Sequence, residues 1–578
     1  MNRPRPLVAL SVAAVFLAWC VGIVGRGYWT PDEPREADIA WRMSWQADKA
    51  VPLLAGEAIC EKPPLTYWIA AASMTAFGTQ AWAARLPNLL YAVITALGVG
   101  FLARRCAGPL AGLVAAAAIS TFLLSYQVSI WLATDAPLLA AISVALLGAY
   151  IGFYASHSRE RLRGYLLMHA ALALGFLCKS AAAWMVPALA LLTLAIWEKR
   201  WRELLRWELY AGLGIQAAAI LLWVWFVYVG SDGPAHLKVF FWNNLVGRFT
   251  RIDAPVDLQY AAAHRNSPGK YLLELPLYLW PWTLLVIAAA CRAWRQRKAS
   301  FDEWRAVRFA LAASLPPLAV LSMAATARNI YLAPALPGAA VLLGWWAQQI
   351  RTAHERWDLR ALRATAALLL LAVGVIAVAM TILAMDAWAT LAARTDYVAI
   401  SAIGLVAAGF LAIRAESTAR HAQVLRANCA LLLAYCALLV GPASQVYRQV
   451  DSWQDLATIG RAIQQDSAGK PLILFAPDET TRAMIDMYAR TSVGVVQGPI
   501  DDAAIEVLRA QMTGAPRSLV VTQLPGRNMS PWLSSIARSR HAAADLAWLP
   551  GSQLQVLRRY ALPNGRRYAL LELKPSVP

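Results

Sequence analysis

Charge is scarce in this 578-residue sequence. Asp, Glu, Lys and Arg make up 15% of it against 59% hydrophobic residues, too little polar surface to coat soluble domains of that total length. Acid is scarcer still, with 34 Asp and Glu against 53 Lys and Arg. Such an excess suits a nucleic-acid partner only where the basic residues form a patch; here they fall mostly in short loops between apolar runs, which excludes that partner class. Cysteine is sparse: the seven Cys form no CxxC pair and sit mostly in apolar stretches, so neither a disulfide framework nor a thiolate zinc site is indicated. The sequence has no internal repeat, no Gly-rich phosphate loop after a strand, no HExxH and no persuasive Ser/His/Asp order. Nucleotide-driven chemistry therefore has no signature.

Apolar sequence is what the chain has in quantity. Runs of roughly 17–25 residues, each long enough to cross a hydrocarbon core of about 30 Å, recur near 6–25, 81–103, 109–126, 134–155, 164–178, 181–197, 209–229, 272–291, 307–325, 331–350, 364–385, 396–413 and 428–446. The pattern predicts a polytopic α-helical membrane protein with about thirteen spans. Basic residues gather in every second loop: Arg3/Arg5, Arg104/Arg105, Arg159/Arg161/Arg163, Lys199 to Arg206, Arg292 to Arg308, Arg351 to Arg363 and Arg414 to Arg426. The positive-inside rule makes these loops cytoplasmic. The first run reads as a span rather than a signal peptide, because no small-x-small cleavage site follows it. Counting the short run Leu65 to Phe77 as a crossing would put Arg104/Arg105 on the wrong side, so it is expected to be juxtamembrane or re-entrant and packed against protein. Two large loops, 26–64 and 230–271, then face outward together with everything after the last span. From 448 to 578 the charges mix and long apolar runs stop. Strand-like pieces (Leu472 to Phe475, Ser518 to Thr522) alternate with a helix-like one (Asp478 to Ala489), and Asn564-Gly565 between two β-rich runs signals a hairpin. The expected organisation is a membrane domain, 1–447, followed by a soluble extracytoplasmic α/β domain, 448–578.

The topology gathers ionisable residues on the outer face. In the first outer loop Ile39, Ala40, Met43, Ala47 and Ala50 share one helical face, which predicts a helix lying in the membrane interface. Asp32 and Glu33 stand at its start, where either a helix cap or a reactive acid fits. Asp135 begins a span, Lys179 sits in the turn between two apolar runs, and Arg328, Asn329 and Tyr331 occupy another minimal turn. An ionisable group at membrane depth costs about 2.5–3.5 kcal/mol and as a rule faces a cavity or a partner. Capping by Asp135 and snorkelling by Lys179 and Arg328 would explain each residue alone; several on one face point to a shared polar cavity. The second outer loop sets Arg248, Arg251, His264, Arg265 and Lys270 among aromatics. Positive charge on the side where the bias runs the other way predicts an anionic ligand such as a lipid phosphate. Glu61 and His264, one from each outer loop, are the candidate ligands of a divalent metal such as zinc beside that phosphate.

At these residues the sequence resembles the GT-C class of polytopic glycosyltransferases, which use polyprenyl-phosphate sugars, and within it the bacterial lipid A 4-amino-4-deoxy-L-arabinose (aminoarabinose) transferases. The likeness rests on Thr30-Pro31-Asp32-Glu33, Glu61-Lys62-Pro63-Pro64-Leu65, Arg85-Leu86-Pro87, Thr134-Asp135-Ala136-Pro137, Lys179, Arg248-Phe249, the stretch His264 to Tyr271 and the stretch Arg328 to Pro337. These run in order through about residue 340; later parts agree only in length and layout. Where the family has Lys-Gly, this chain has Lys179-Ser180. The resemblance implies an inverting transfer of aminoarabinose from undecaprenyl phosphate to a lipid A phosphate, at the periplasmic face of a Gram-negative inner membrane. The product would carry less negative charge, hence resistance to polymyxin and cationic antimicrobial peptides. It further implies Asp32, Asp135 and Glu33 as the acids of the reaction centre, with Lys62, Lys179, Arg248, Arg328, Tyr331 and Arg35 around the donor phosphate. Chemistry agrees for the cations, since expelling a polyprenyl phosphate is helped by positive charge where negative charge develops. A phosphate acceptor is already nucleophilic, so Asp32 is as fit to orient as to deprotonate. Two other readings stay open: a protein O-mannosyltransferase or another polyprenyl-phosphate-sugar transferase, and a lipid flippase or transporter, which inverted repeats or paired broken helices would favour.

Overall fold

The structure, a computed structural model, describes residues 5–248, 267, 269–298, 300, 304–324, 328–386, 395–489, 493–496, 502–514, 518–524, 554–562 and 564–573. Among the described residues, ten helices are long and apolar enough to cross a membrane. The number is twelve if each of two bent pairs is one span: Pro109–Thr121 with Leu123–Ile130, bent by 64°, and Lys270–Tyr278 with Thr283–Arg295, bent by 111°. The chain is a multi-pass helical membrane protein. The run expected at 181–197 is the helix Ala182–Trp197, whose 16 residues rise about 24 Å, short of a ~30 Å core. Leu65–Phe77, with 13 residues, is shorter still.

One helical hairpin sets the outer geometry. Asp135–Tyr154 and Ser158–Lys179 have 20 and 22 residues and are joined by three. The first residue of one and the last of the other must therefore meet at the same end. Glycines let the two backbones close up: a Cβ on Gly164 would lie 2.4 Å from the Gly152 nitrogen, and one on Gly148 2.6 Å from the Gly164 carbonyl. Close packing through small residues is how membrane helices associate where lipid supplies no hydrophobic driving force. Farther along, the 3-10 segment Asn329–Ala335 runs into Leu336–Ile350 and leaves Arg328 at the outer turn.

The segment expected to be the first outer loop folds into a helix, Asp32–Trp45 (called the outer helix after that expectation), and a two-stranded hairpin, β1 (Leu53–Leu54) and β2 (Glu57–Ala58). Ala55 and Gly56 in its turn have φ of 49° and 90°, as a two-residue type I′ turn requires. The outer helix does not lie open in the interface. Its Ile39 and Met43 pack with Tyr67 and Ala71 of Leu65–Phe77 and with Ala483, and its Ala37 and Ala40 with Ala70, Met74 and Met487. Ala47 and Ala50 lie beyond its end. An apolar stripe shows that a face is covered and leaves open whether lipid or protein covers it.

Residues 456–573 carry a mixed five-stranded sheet of order β4-β3-β5-β7-β6. Here β3 is Leu472–Phe475, β4 Val493–Val496, β5 Leu519–Leu524, β6 Leu554–Ala561 and β7 Arg567–Leu573. β3 runs parallel to β4 and β5, and β7 antiparallel to β5 and β6. Leu472 and Leu474 pack with Ile459, Ile463 and Met484 on one face, Ile473 and Phe475 with Leu508 and Met512 on the other. A strand apolar on both faces is what a sheet covered by helices on both sides demands. The Asn564-Gly565 hairpin joins β6 to β7, with Gly565 at φ 90°. The helix Glu479–Ala489 of this module lies on the outer helix.

Candidate active site

Two adjacent acids at the start of the outer helix have opposite surroundings. Pro31 is the N-cap residue and makes no side-chain cap bond, so capping accounts for neither. Glu33 is fully buried, and its oxygens accept from Arg26 Nη1 at 2.6 Å, from Arg85 Nε and Nη2 at 2.7 Å, and from the backbone N–H groups of Trp29 at 2.8 Å and Leu132 at 2.9 Å. Burial alone would raise this carboxyl, but Arg26 and then Arg85 outweigh it and hold the group at about 2. Glu33 thus ties three segments together and presents no atom to a substrate. Asp32 points the other way, into a two-pronged ion pair with Arg328, one arm 2.7 Å long and the other shorter.

Two more pairs repeat the arrangement. Lys179 Nζ lies 2.5 Å from Asp135 Oδ1, the meeting that the helical hairpin dictates, and 4.6 Å from the centroid of the Tyr331 ring. Lys62 Nζ lies 2.5 Å from Glu36 Oε1. In each pair the cation is the more exposed member, at 42% for Arg328, 14% for Lys179 and 17% for Lys62, against 13%, 3% and 3% for their acids. Cations on the more exposed side with acids behind them suit an anionic ligand. Neither snorkelling by Lys179 nor capping by Asp135 describes this geometry.

The pairs form one connected surface. Arg35 meets Glu36 at 3.5 Å, Glu61 at 3.6 Å and Glu479 at 3.1 Å, and is close enough to Arg328 for the two cations to repel. The hydrogen bond from Arg328 to Asp32 raises the guanidinium's proton affinity. The Tyr271 hydroxyl donates to the Arg328 carbonyl at 2.6 Å, and Lys270 Nζ to Asn329 Oδ1 at 3.3 Å. From the second outer loop Asn244 donates to the Glu61 carbonyl. Arg248 ends the short turn Val246–Arg248 just beyond, while Arg251, His264 and Arg265 lie outside the described residues. The metal expectation rested on Glu61 and His264; among the described residues no group of three His, Cys, Asp or Glu could hold a metal ion.

Sequence reasoning gave no role to Glu36, Arg26 or Arg85. Glu36 lies one turn past Asp32 on the same helical face, a spacing that could have singled it out. Burial would raise the Glu36 carboxyl, but Lys62, Arg35 and a hydrogen bond from Tyr67 hold it at about 2. Ser180 takes up φ 56° and ψ −149° just past Lys179, a region essentially reserved for glycine. The family's glycine at this position therefore has a backbone reason, and Ser180 carries the strain.

With this geometry in hand, the chain can be set beside known proteins. Residues 61–226 match the family model described as dolichyl-phosphate-mannose-protein mannosyltransferase. An undecaprenyl phosphate-alpha-4-amino-4-deoxy-L-arabinose arabinosyl transferase of Pseudomonas aeruginosa (strain UCBPP-PA14) is 29% identical over 345 residues, 60% of each chain. One of the same name from Edwardsiella ictaluri (strain 93-146) is 26% identical over 517 residues, 87% of this chain and 89% of that one. The crystal structure of ArnT from Cupriavidus metallidurans bound to undecaprenyl phosphate superposes with a TM-score of 0.71 at 19% identity, over 100% of this chain and 99% of that one. The fold is that of ArnT. The apo form of ArnT agrees, with a TM-score of 0.70 over 97% of both chains. The resemblance to aminoarabinose transferases extends beyond the motifs to the whole path of the chain, although the match to the Pseudomonas relatives spans only 60% of their length.

Proposed function

We propose that this protein is an inverting glycosyltransferase that moves 4-amino-4-deoxy-L-arabinose from undecaprenyl phosphate to the phosphates of lipid A. On this reading it works at the periplasmic face of a Gram-negative inner membrane and confers resistance to polymyxin and cationic antimicrobial peptides. The observation that carries the proposal is the set of three cation–carboxylate pairs, Lys62–Glu36, Lys179–Asp135 and Arg328–Asp32, on one outer surface of an ArnT fold. An acceptor phosphate oxygen bonds to the anomeric carbon from the face opposite the leaving group, and the anomeric C–O bond breaks to release undecaprenyl phosphate. Lys62, Lys179 and Arg328 neutralise the charge that grows on the departing phosphate, and Arg248 shares that role on this reading. Asp32 and Asp135, released from their cations, hold the sugar's ammonium group and orient the acceptor. Glu33 is an anchor on this reading and takes no part in the chemistry. Thirteen spans, with Ala182–Trp197 as the shortest, place both outer loops and a soluble domain at 448–578 in the periplasm.

The test is direct. Purified protein incubated with undecaprenyl-phosphate-aminoarabinose and lipid A should add the mass of one aminoarabinose residue per modified phosphate. Absence of that product from well-folded protein overturns the proposal. The match to a mannosyltransferase family model supports a second reading, transfer of a neutral sugar to a hydroxyl. A parallel incubation with polyprenyl-phosphate-mannose and a Ser/Thr-rich peptide decides between the two, since the hydroxyl acceptor would yield a glycopeptide and unmodified lipid A.

A further inference from the structure

Asp38 is a second acid of the outer helix, after Glu33, that the proposed chemistry leaves unused. It is fully buried. One carboxyl oxygen accepts from the backbone N–H of Ala55 at 2.7 Å, and so holds the β1–β2 turn at its positive-φ residue. The other has no hydrogen-bond donor from an amide or a cation. Asp486 of the helix Glu479–Ala489 is the neighbouring acid whose charge and hydrogen bonding act on the Asp38 carboxyl. Arg42, one turn along the outer helix, faces both acids, with Nε 3.7 Å from Asp38 and a shorter contact to Asp486. The remaining charged groups nearby are committed elsewhere. Arg482, on the same helix as Asp486, pairs with Glu57 of β2 at 2.8 Å; Leu65–Phe77 carries no charged residue; and Arg85 of the segment Ala81–Arg85 is taken by Glu33.

Two carboxylates therefore face one guanidinium in a largely buried place. Both cannot be ionised in contact without strong repulsion, whereas a proton between them removes the repulsion and gives the orphan oxygen a partner. We infer that Asp38 and Asp486 share one proton, and that this proton fastens the C-terminal module to the outer helix and the β1–β2 turn, making the two acids positioning residues for the site. Three elements meet at this point: Asp38 lies two residues beyond Glu36, the β1–β2 hairpin leads into Glu61-Lys62, and Glu479 on the module helix reaches Arg35. Burial and the neighbouring Asp486 both raise the Asp38 carboxyl well above the usual carboxylate range. Docking that raises a group's proton affinity is at full strength below the group's ordinary pKa and weakens as pH rises through the raised one. One proton permits at most about a tenfold change in the docking equilibrium per pH unit. The consequence for catalysis rests on the transferase reading; the shared proton does not.

The experiment follows hydrogen exchange at amides 479–489 of the full-length protein in detergent between about pH 5 and about pH 9, corrected for intrinsic exchange. Wild-type protection should fall as pH rises. In Asp38→Asn the amide group supplies the hydrogen that the proton supplied, and its oxygen keeps the Ala55 N–H, so protection should persist and become flat with pH. Asp486→Asn should behave alike and serves if the first variant folds poorly. Wild-type protection that is flat with pH, or asparagine variants that lose protection at every pH as a simple Asp38–Arg42 salt bridge requires, overturns the inference. In the sugar-transfer assay, kcat/KM should fall with pH in step with protection in the wild type and not in Asp38→Asn. If no variant transfers sugar, the transferase reading fails while the exchange data still decide the proton.

Discussion

Replacing two neighbouring acids separately should give opposite phenotypes. Glu33→Gln exchanges an acceptor-only carboxylate for an amide, half of which donates, inside a cage of six donor groups from two guanidinium side chains and two backbone amides. Breaking a buried ion pair by removing one partner costs roughly 3–5 kcal/mol, because the other charge stays buried. Set against a total stability of about 5–15 kcal/mol, that loss should lower the melting temperature clearly or prevent accumulation of the protein. Asp32→Asn removes a charge whose partner, Arg328, is 42% exposed, and a pair of that kind contributes about 1 kcal/mol at most. Melting should scarcely change. If the Asp32 carboxylate orients the acceptor or accepts its proton, transfer should fall on the order of 10²–10⁴-fold. The assay pairs thermal unfolding with mass spectrometry of lipid A for both variants. A Glu33→Gln protein that melts like wild type, or an Asp32→Asn protein with full activity, refutes this division of labour between the two acids.

Further outcomes can be measured on the same protein. Lys62→Ala should still fold, with Arg35 left to pair Glu36 and some loss of melting temperature, and lose about 10²–10³-fold in single-turnover rate, as expected when a group that stabilises developing charge is removed. The carboxyls of Glu33 and Glu36 are held at about 2 in the folded protein. Their contribution to stability is therefore present above the ordinary glutamate pKa of about 4.3 and is lost as pH falls toward about 2, so an acid titration of the unfolding midpoint should show its decline there and not near neutrality. Ser180→Gly should raise stability by about 1–3 kcal/mol through relief of the backbone strain at φ 56°, visible as a higher melting temperature. A reporter active only in the periplasm, fused after residue 578, should be active; activity of a cytoplasm-only reporter there would invert the topology.

The membrane fold was legible because its signal is long and redundant: every expected apolar run corresponds to a helix or a bent helix pair. The run at 181–197 shows the limit, since a 16-residue helix does not declare from composition whether it crosses. The meeting of Asp135 and Lys179 was legible because topology alone brings the first residue of one hairpin helix to the last of the other. The burial of the outer helix was not. Its stripe of Ile39, Ala40 and Met43 reads the same against lipid as against Ala483 and Met487, which lie more than 400 residues away in sequence. The burial of Glu33 was hidden for the same reason. Its partners Arg26 and Arg85 are set by tertiary packing, and nothing local distinguishes it from Asp32 next to it.

The carboxylates behind the three cations bear on which sugar the site suits. Three cations left unpaired side by side would repel one another, and acids at 2.5 Å from two of them relieve that at rest. They create another when a phosphate arrives, because each cation it takes leaves an acid without a partner. A neutral sugar cannot fill that vacancy, and the freed acid must then be rehydrated or protonated. An amino sugar brings an ammonium group on the same molecule as the phosphate, so one of the freed acids exchanges its protein cation for the sugar's. Asp32 and Asp135 are placed for the exchange, since each gives up a cation that the proposed chemistry assigns to the donor phosphate. The same logic makes a neutral donor such as polyprenyl-phosphate-mannose the poorer substrate, and a donor whose amine has been acetylated should bind less well than its free-amine parent for the same reason.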